Sequence, residues 1–137
     1  MEQTHLRPLL VLSGLFLIAL AVRVIYFVEL SQLPYFDVVL PVYDHFNFDQ
    51  GALNFAAGDG LARSPNNSYS PLYKYFLGSL YFIFGRNFYV VYGLQFVLGA
   101  LGAVLIFSIG KRLFDIRVGF LAFIGFAFYS TEIIYEG

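Results

Sequence analysis

Apolar and polar positions alternate along this chain in long blocks rather than at short period. From Leu9 to Leu30 only Arg23 and Glu29 interrupt an otherwise apolar run. At about 1.5 Å of rise per residue such a run crosses a hydrocarbon core of roughly 30 Å. Phe88 to Ile109 holds no charge at all, and Lys111, Arg112 and Arg117 follow it closely. A third run opens at Val118 and meets Glu132 and Glu136 near the end of the sequence. This pattern predicts membrane-spanning helices over about 9–30, 88–109 and 118–135. Pro71 to Phe84 is apolar too, but its length gives a helix of only about 21 Å, too short to span. It is framed by Ser70 as N-cap, Pro71 in the first turn and Gly85 as a stop. With Lys74 inside it and many Tyr and Phe residues, it reads as a helix lying in the membrane interface.

Composition agrees with that reading. Of 137 residues, 59% are hydrophobic and 12% charged, against roughly 25% charged in a soluble domain. The class expected is an all-α integral membrane protein with three transmembrane helices and an outer loop carrying two juxtamembrane helices. The net charge of -1 gives no basic surface for nucleic acid. The absence of cysteine removes disulfides, thiolate metal sites and Cys nucleophiles from consideration. Trp is absent, and the 11 Tyr residues can serve the interfacial belt in its place.

Orientation follows from the basic residues. If 71–84 stays on one side, Lys111, Arg112 and Arg117 share the cytoplasmic face with Arg7. If it crossed, that dense basic turn would face outward, against the positive-inside tendency. The expected topology is a cytoplasmic N-terminus, an extracytoplasmic loop 31–87, a cytoplasmic basic turn and a third span returning outward. Arg7, the apolar run after it and Ala19-Leu20-Ala21 also fit a cleaved signal peptide loosely. Apolarity continues well past that point, so an uncleaved span is expected, with Arg23 snorkelling to the interface.

A loop of this length is uncommon unless it carries function. Its densest titratable cluster is Asp44, His45 and Asp49, in a segment of helical character over about 44–57 that Gly58-Asp59-Gly60 ends in a turn. Phe46, Leu53 and Ala56 share one face of that helix and Asp49 lies on another. Asp44 sits where the helix starts, and an N-cap explains it adequately. Asp49 is five residues on, about 140° around the helix, so the two carboxylates do not form a same-face pair. His45 can carry a proton or bind a metal, although a single loop histidine is more often a bystander. The three together match no specific metal-ligand spacing. Glu132 and Glu136, four apart, share a helix face at the outer end of the third span. Carboxylates in such a segment face a cavity or mark the interface, and the sequence leaves both open for Glu136.

Four stretches in order, LPVYDHFNFDQGALNFAAGDG, SPLYKYFLGSLYFIFG, GLQFVLGALGAVLIFSIGKRLFD and YSTEIIYEG, resemble the N-terminal part of polytopic glycosyltransferases of the GT-C fold. The resemblance is closest to family 39 and the protein O-mannosyltransferase-like group, including the lipid A aminoarabinose transferases. Each motif is loose alone; their order and spacing carry the likeness, which covers nearly the whole chain. It implies an enzyme of the bacterial inner membrane that moves a sugar from a polyprenyl-phosphate donor to a lipid, glycan or protein acceptor on the outer face. By that resemblance Asp44 is the catalytic base, and Asp49 occupies a further acidic position of the same helix. Relatives offer a lysine before the second short helix, where this chain has Ser70-Pro71, so Lys74 or Arg63 is expected to meet the carrier phosphate. Glu132 or Glu136 falls near an acidic residue of the second outer loop. Some GT-C enzymes use a divalent metal and others do not, and no ligand set here decides between them. Family members have many more spans, so a fragment of a longer chain is expected.

The chemistry is coherent without the family, since such a transfer needs a base near the acceptor oxygen and positive charge at the leaving phosphate. Two other classes remain. A non-enzymatic assembly subunit would use the glycines of GLQFVLGALGAV, Gly99 and Gly102 among them, for close helix packing. A transporter segment would need midplane polar groups, and the second span has only Gln95 and Ser108.

Overall fold

A computed structural model of the chain describes residues 3–34, with backbone alone through residue 8, and residues 44–65 and 70–129. Every regular element among them is helical: α1 (Gln3–Ser31), α2 (Asp44–Ala56), α3 (Pro71–Phe84), α4 (Phe88–Leu113) and α5 (Ile116–Phe128). The chain divides into two compact units, Met1–Leu33 with Tyr92–Gly137, and Pro34–Val91.

In the first unit each helix turns one narrow stripe inward. On α1 that stripe is Leu15, Ala19 and Arg23, each four residues apart; on α4 it is Phe96, Ala100, Ala103 and Phe107. Gly119, Phe123 and Ala127 form it on α5. These spacings of three and four put the buried residues on one side of each helix. Leu15, Ala19, Ala100, Ala103, Phe107, Phe123 and Ala127 join in one core. Small residues let the backbones approach. A Cβ on Gly119 would lie 2.8 Å from the Phe107 carbonyl oxygen, and one on Gly110 would lie 3.0 Å from the Gly119 Cα. This close approach of α4 and α5 falls at Gly110 and Gly119, not at the expected Gly102, whose Cβ would only touch the Phe126 ring at 3.4 Å. Asp115 caps α5 by accepting the Val118 N–H at 2.9 Å, and Asn87 caps α4 by accepting from Tyr89 N–H at 3.0 Å.

Large apolar side chains cover the outside of the same helices: Leu9, Leu10, Leu17 and Ile25 on α1, and Leu105 and Ile109 on α4, are all exposed. Leu9–Ser31 and Phe88–Leu113, at 23 and 26 residues, are long and apolar enough to cross a membrane. The third expected span is shorter in its described part. Over 13 residues α5 rises about 20 Å. It ends at Phe128, with Tyr129 extended. Glu132 and Glu136 lie outside the described residues.

Arg23 departs from expectation. In place of snorkelling, its side chain is wholly buried, with Nη1 donating back to the Ala19 carbonyl at 3.4 Å and Cζ 5.9 Å from the centre of the Phe126 ring. It shares the stripe of Leu15 and Ala19, so the register of α1 turns it toward its helix neighbours rather than to an interface. The polarisable ring face is a favourable neighbour for a guanidinium there.

Candidate functional site

The second unit packs α2 against α3 as a helical hairpin, and a tight turn follows α2. Gly58 ends α2 with φ 103°, a conformation that suits glycine. Gly58 N–H reaches the Phe55 carbonyl and Asp59 N–H the Asn54 carbonyl, both at 2.9 Å, the paired bonds of a Schellman ending. Asp59 then folds the turn back on itself, its carboxylate accepting from the Leu61 and Arg63 N–H groups at 3.1 Å each. These backbone bonds hold the Asp59 carboxyl below its usual range. Asn54 ties the turn to α2, donating to the Arg63 carbonyl at 2.7 Å. Beyond the turn, Pro71 stands in the first turn of α3 and Gly85 ends it with φ 72°, as the sequence predicts, while Ser70 makes no side-chain cap bond.

The two helices pack through faces the hydrophobic pattern does not mark. On α2 the buried residues are Asp49, Gly51 and Ala52, whereas Phe46, Leu53 and Ala56 are only half-buried. On α3 they are Lys74, Leu77, Gly78, Leu80 and Tyr81. Two glycines set the separation. A Cβ on Gly51 would come within 2.7 Å of the Lys74 Cδ, and one on Gly78 within 2.7 Å of the Phe55 ring and 3.0 Å of the Ala52 carbonyl. The stem of Lys74 therefore runs over the gap left by Gly51.

Inside this seam lies a polar network centred on Asp49. Asp49, 4% exposed, accepts from the Tyr81 hydroxyl at 2.7 Å. It also accepts a forked pair of bonds from Arg86, at 2.9 Å from Nε and 3.2 Å from Nη2. Two charge-assisted bonds in a fork fix both distance and angle. The other side of Arg86 meets the Phe88 ring, 4.7 Å from Cζ to its centre. Burial, and then the bond to Asp49, push the Tyr81 hydroxyl well above the usual tyrosine range. The bond to Asp49 raises Arg86 further still, against a smaller opposing effect of burial.

The sequence-predicted residues separate within this frame. Asp44 and His45 stand exposed in the first turn of α2. A carboxylate there also favours the helix N-terminus. Asp49 is drawn inward onto Tyr81 and Arg86. Lys74 is 2% exposed and donates to the Ser64 hydroxyl at 2.7 Å, so its ammonium is inside the hairpin. Arg63 stays at the surface, its guanidinium 3.7 Å from Asp59. The sequence does not mark Arg86 or Tyr81: they lie 37 and 32 residues from Asp49 and share no local spacing with it. The one sequence sign was that Arg86 is the first charge after the apolar stretch of α3.

An apolar hollow of about 300 Å³ opens beside the turn, lined by Phe55, Ala56, Gly58, Gly60 and Phe82. Among the described residues no group of three or more His, Asp and Glu side chains gathers as a metal-ligand set. No protein-family model matches the chain, and no characterised protein or solved structure shows significant similarity to it.

Proposed function

We propose that the protein transfers a sugar from a polyprenyl-phosphate donor to an acceptor hydroxyl at the outer membrane surface, with α1 and α4 as spans and the α2–α3 hairpin in the interface. The observation that carries the reading is the contrast between the two acids of α2. Asp49 is consumed by internal bonds, while Asp44 is exposed at the helix start, a dozen or so positions beyond the long apolar helix α1. Leu72, Phe82, Ile83 and Phe84 leave large apolar surface on α3, as suits a helix bedded in lipid headgroups.

In this reading the acceptor oxygen attacks the anomeric carbon, and the bond from that carbon to the phosphate oxygen breaks. The acceptor proton passes to the Asp44 carboxylate, and the electron pair leaves with the polyprenyl phosphate. Arg63, a cation exposed at the turn after α2, meets the phosphate charge as it develops. Lys74 is assigned no such contact, since its ammonium would first have to leave Ser64 and the seam.

The test is protein in proteoliposomes supplied with polyprenyl-phosphate hexose and an alcohol acceptor, following release of polyprenyl phosphate. Asp44→Asn is expected to lower transfer by at least about a hundredfold, the usual scale of a lost general base. Stability should fall by no more than about 1 kcal/mol, because Asn supports a helix start as Asp does and only the charge that favours the helix N-terminus is lost. A variant that transfers at the original rate would remove Asp44 from catalysis. The second reading, a membrane assembly subunit, is favoured by the position of Asp44 in the first turn, where helix support alone explains it. It predicts no transfer by either form.

A further inference from the structure

A separate feature lies at the opposite end of α4 from the hairpin sequence. In the first unit a cleft of about 620 Å³ is lined by Val11 and Leu12 of α1, Phe107, Ser108, Lys111 and Arg112 of α4, and Ile116 of α5. Its volume falls within the roughly 300–1,000 Å³ of small-molecule sites. The lining is graded. Val11, Leu12, Phe107 and Ile116 supply apolar wall, and the two cations stand together at the end of α4, where its last turn gives way to the turn before α5. Both Lys111 and Arg112 are exposed, and Arg117 follows in the first turn of α5. Among the described residues, Asp115 is the one acid in this turn, and its carboxylate accepts the Val118 N–H as the cap of α5.

We propose that this cleft binds an anionic phospholipid, with its acyl chain against Val11, Leu12, Phe107 and Ile116 and its phosphate between Lys111 and Arg112. Two features of the cleft argue for a lipid rather than a soluble anion. Val11 and Ile116 of the apolar wall are themselves exposed, and Leu9 and Leu10 stand exposed beside Val11 on α1, so an occupant can enter sideways from the bilayer. The cations mark the end of an apolar helix long enough to cross the membrane, which is the level of the phosphate groups. Basic pockets between membrane helices are suited to such headgroups, and each cation near the surface contributes about fivefold in affinity. The inference rests on α1 and α4 crossing the membrane and is independent of sugar transfer.

The experiment is native mass spectrometry of the detergent-purified protein with phosphatidylglycerol or phosphatidylcholine of matched chains. Selective retention of phosphatidylglycerol is expected, falling about twenty-five-fold in Lys111→Gln/Arg112→Gln, the product of the two single effects. Val11→Trp keeps both charges and fills the cleft from an exposed position. It is expected to lose the bound lipid too, with an unchanged melting curve showing that the helices still pack. Glycerol phosphate, which has the headgroup charge without chains, should not compete. Equal retention of the two lipids overturns the proposal, as does retention by the double variant. Full binding by Val11→Trp, or competition by glycerol phosphate, overturns it as well, by reducing the site to a surface charge effect.

Discussion

The two units solve burial by different means. The unit of α1, α4 and α5 turns alanine, glycine and phenylalanine inward, and Arg23 is the one charged side chain buried among its described residues. The α2–α3 hairpin turns Asp49 and Lys74 inward and leaves Leu72, Phe82, Ile83 and Phe84 outside. Shape therefore holds the first, and directed polar bonds join close packing in holding the second. Packing of small residues tolerates changes of charge state but not of volume. A largely buried polar seam tolerates neither, because each group left unsatisfied inside costs its desolvation. The hairpin should thus respond to charge and pH where the helical unit does not.

The largest expected effect comes from removing the centre of that seam. Asp49→Ala strands the Tyr81 hydroxyl and the inner side of Arg86. Loss of one partner of a fully buried pair costs roughly 3–5 kcal/mol, and here about 2–4 is expected because Arg86 retains access to water. The Arg86 side chain is 38% exposed. Hydrogen exchange should show the loss in α2 and α3 amides, with α1 and the later turns of α4 little changed. A uniform loss across both units would erase the distinction between them.

Glycine substitutions sharpen the comparison at the next level, because close approach is common to both units. Gly119→Ala puts a Cβ against two backbone atoms, the Phe107 oxygen at 2.8 Å and the Lys111 nitrogen at 3.0 Å, neither of which can swing aside. Gly51→Ala meets the Lys74 stem and the Ala62 carbonyl at 2.9 Å. Each is expected to cost about 1–3 kcal/mol through overpacking. Gly93, with nothing within 4 Å, lacks that constraint. Gly93→Ala should instead gain up to about 1 kcal/mol from helix propensity. Thermal melts of the three variants check the order.

These contrasts show what the sequence made legible. The bounds of α2 and α3 and the start of α4 follow closely from Gly58, Pro71, Gly85 and the apolar run from Phe88, because such signals act within a turn of the chain, whereas α1 begins six residues before its apolar run and α4 continues four residues past its own. α1 and α4 are apolar nearly all round, so their patterns predict that they are helices long enough to span but not which side packs. Hence Arg23 could be taken for an interfacial residue when the helix register buries it. The same limit hid the seam. Asp49 was expected on a face away from Phe46, Leu53 and Ala56, and its burial was not legible because its partners, Tyr81 and Arg86, come from the far end of α3 and beyond. Lys74 looked available to a phosphate, and only the gap at Gly51 explains how its stem passes inside. Of the candidate site, the place of Asp44 at a helix start and the turn at Gly58-Asp59-Gly60 before Arg63 were legible, since both are set by local signals.

A milder break comes from alkali. Tyr81 is held well above the usual tyrosine range, first by burial and then by its bond to Asp49. Its folded-state value is raised, so its contribution is full below the unfolded value of about 10 and declines as pH rises beyond it, when the unfolded chain ionises and the folded one does not. Tyr81→Phe removes one hydrogen bond to a charged acceptor, at about 1.5 kcal/mol, and should flatten this alkaline loss. A slope that persists in the variant would assign it to another group.

The smallest expected effect lies in the turn and runs toward acid. Asp59 is held below its usual range chiefly by the Arg63 and Leu61 N–H groups, with Arg63's charge a lesser influence. A depressed folded value means that the stabilisation is present above the unfolded value of about 3.9 and is lost as pH falls through the folded one. Protonation weakens both bonds at once, so the Leu61 and Arg63 amides should exchange faster, after correction for intrinsic rates, as pH drops below about 4. Asp59→Asn keeps the shape of the acceptor but cannot titrate, and its amides should show no such acid step. The Arg63–Asp59 ion pair is exposed, so added salt should scarcely move the transition. A strong salt dependence would mean that the guanidinium, rather than the backbone, holds the carboxylate, and would place Arg63 less ready to meet a lipid phosphate.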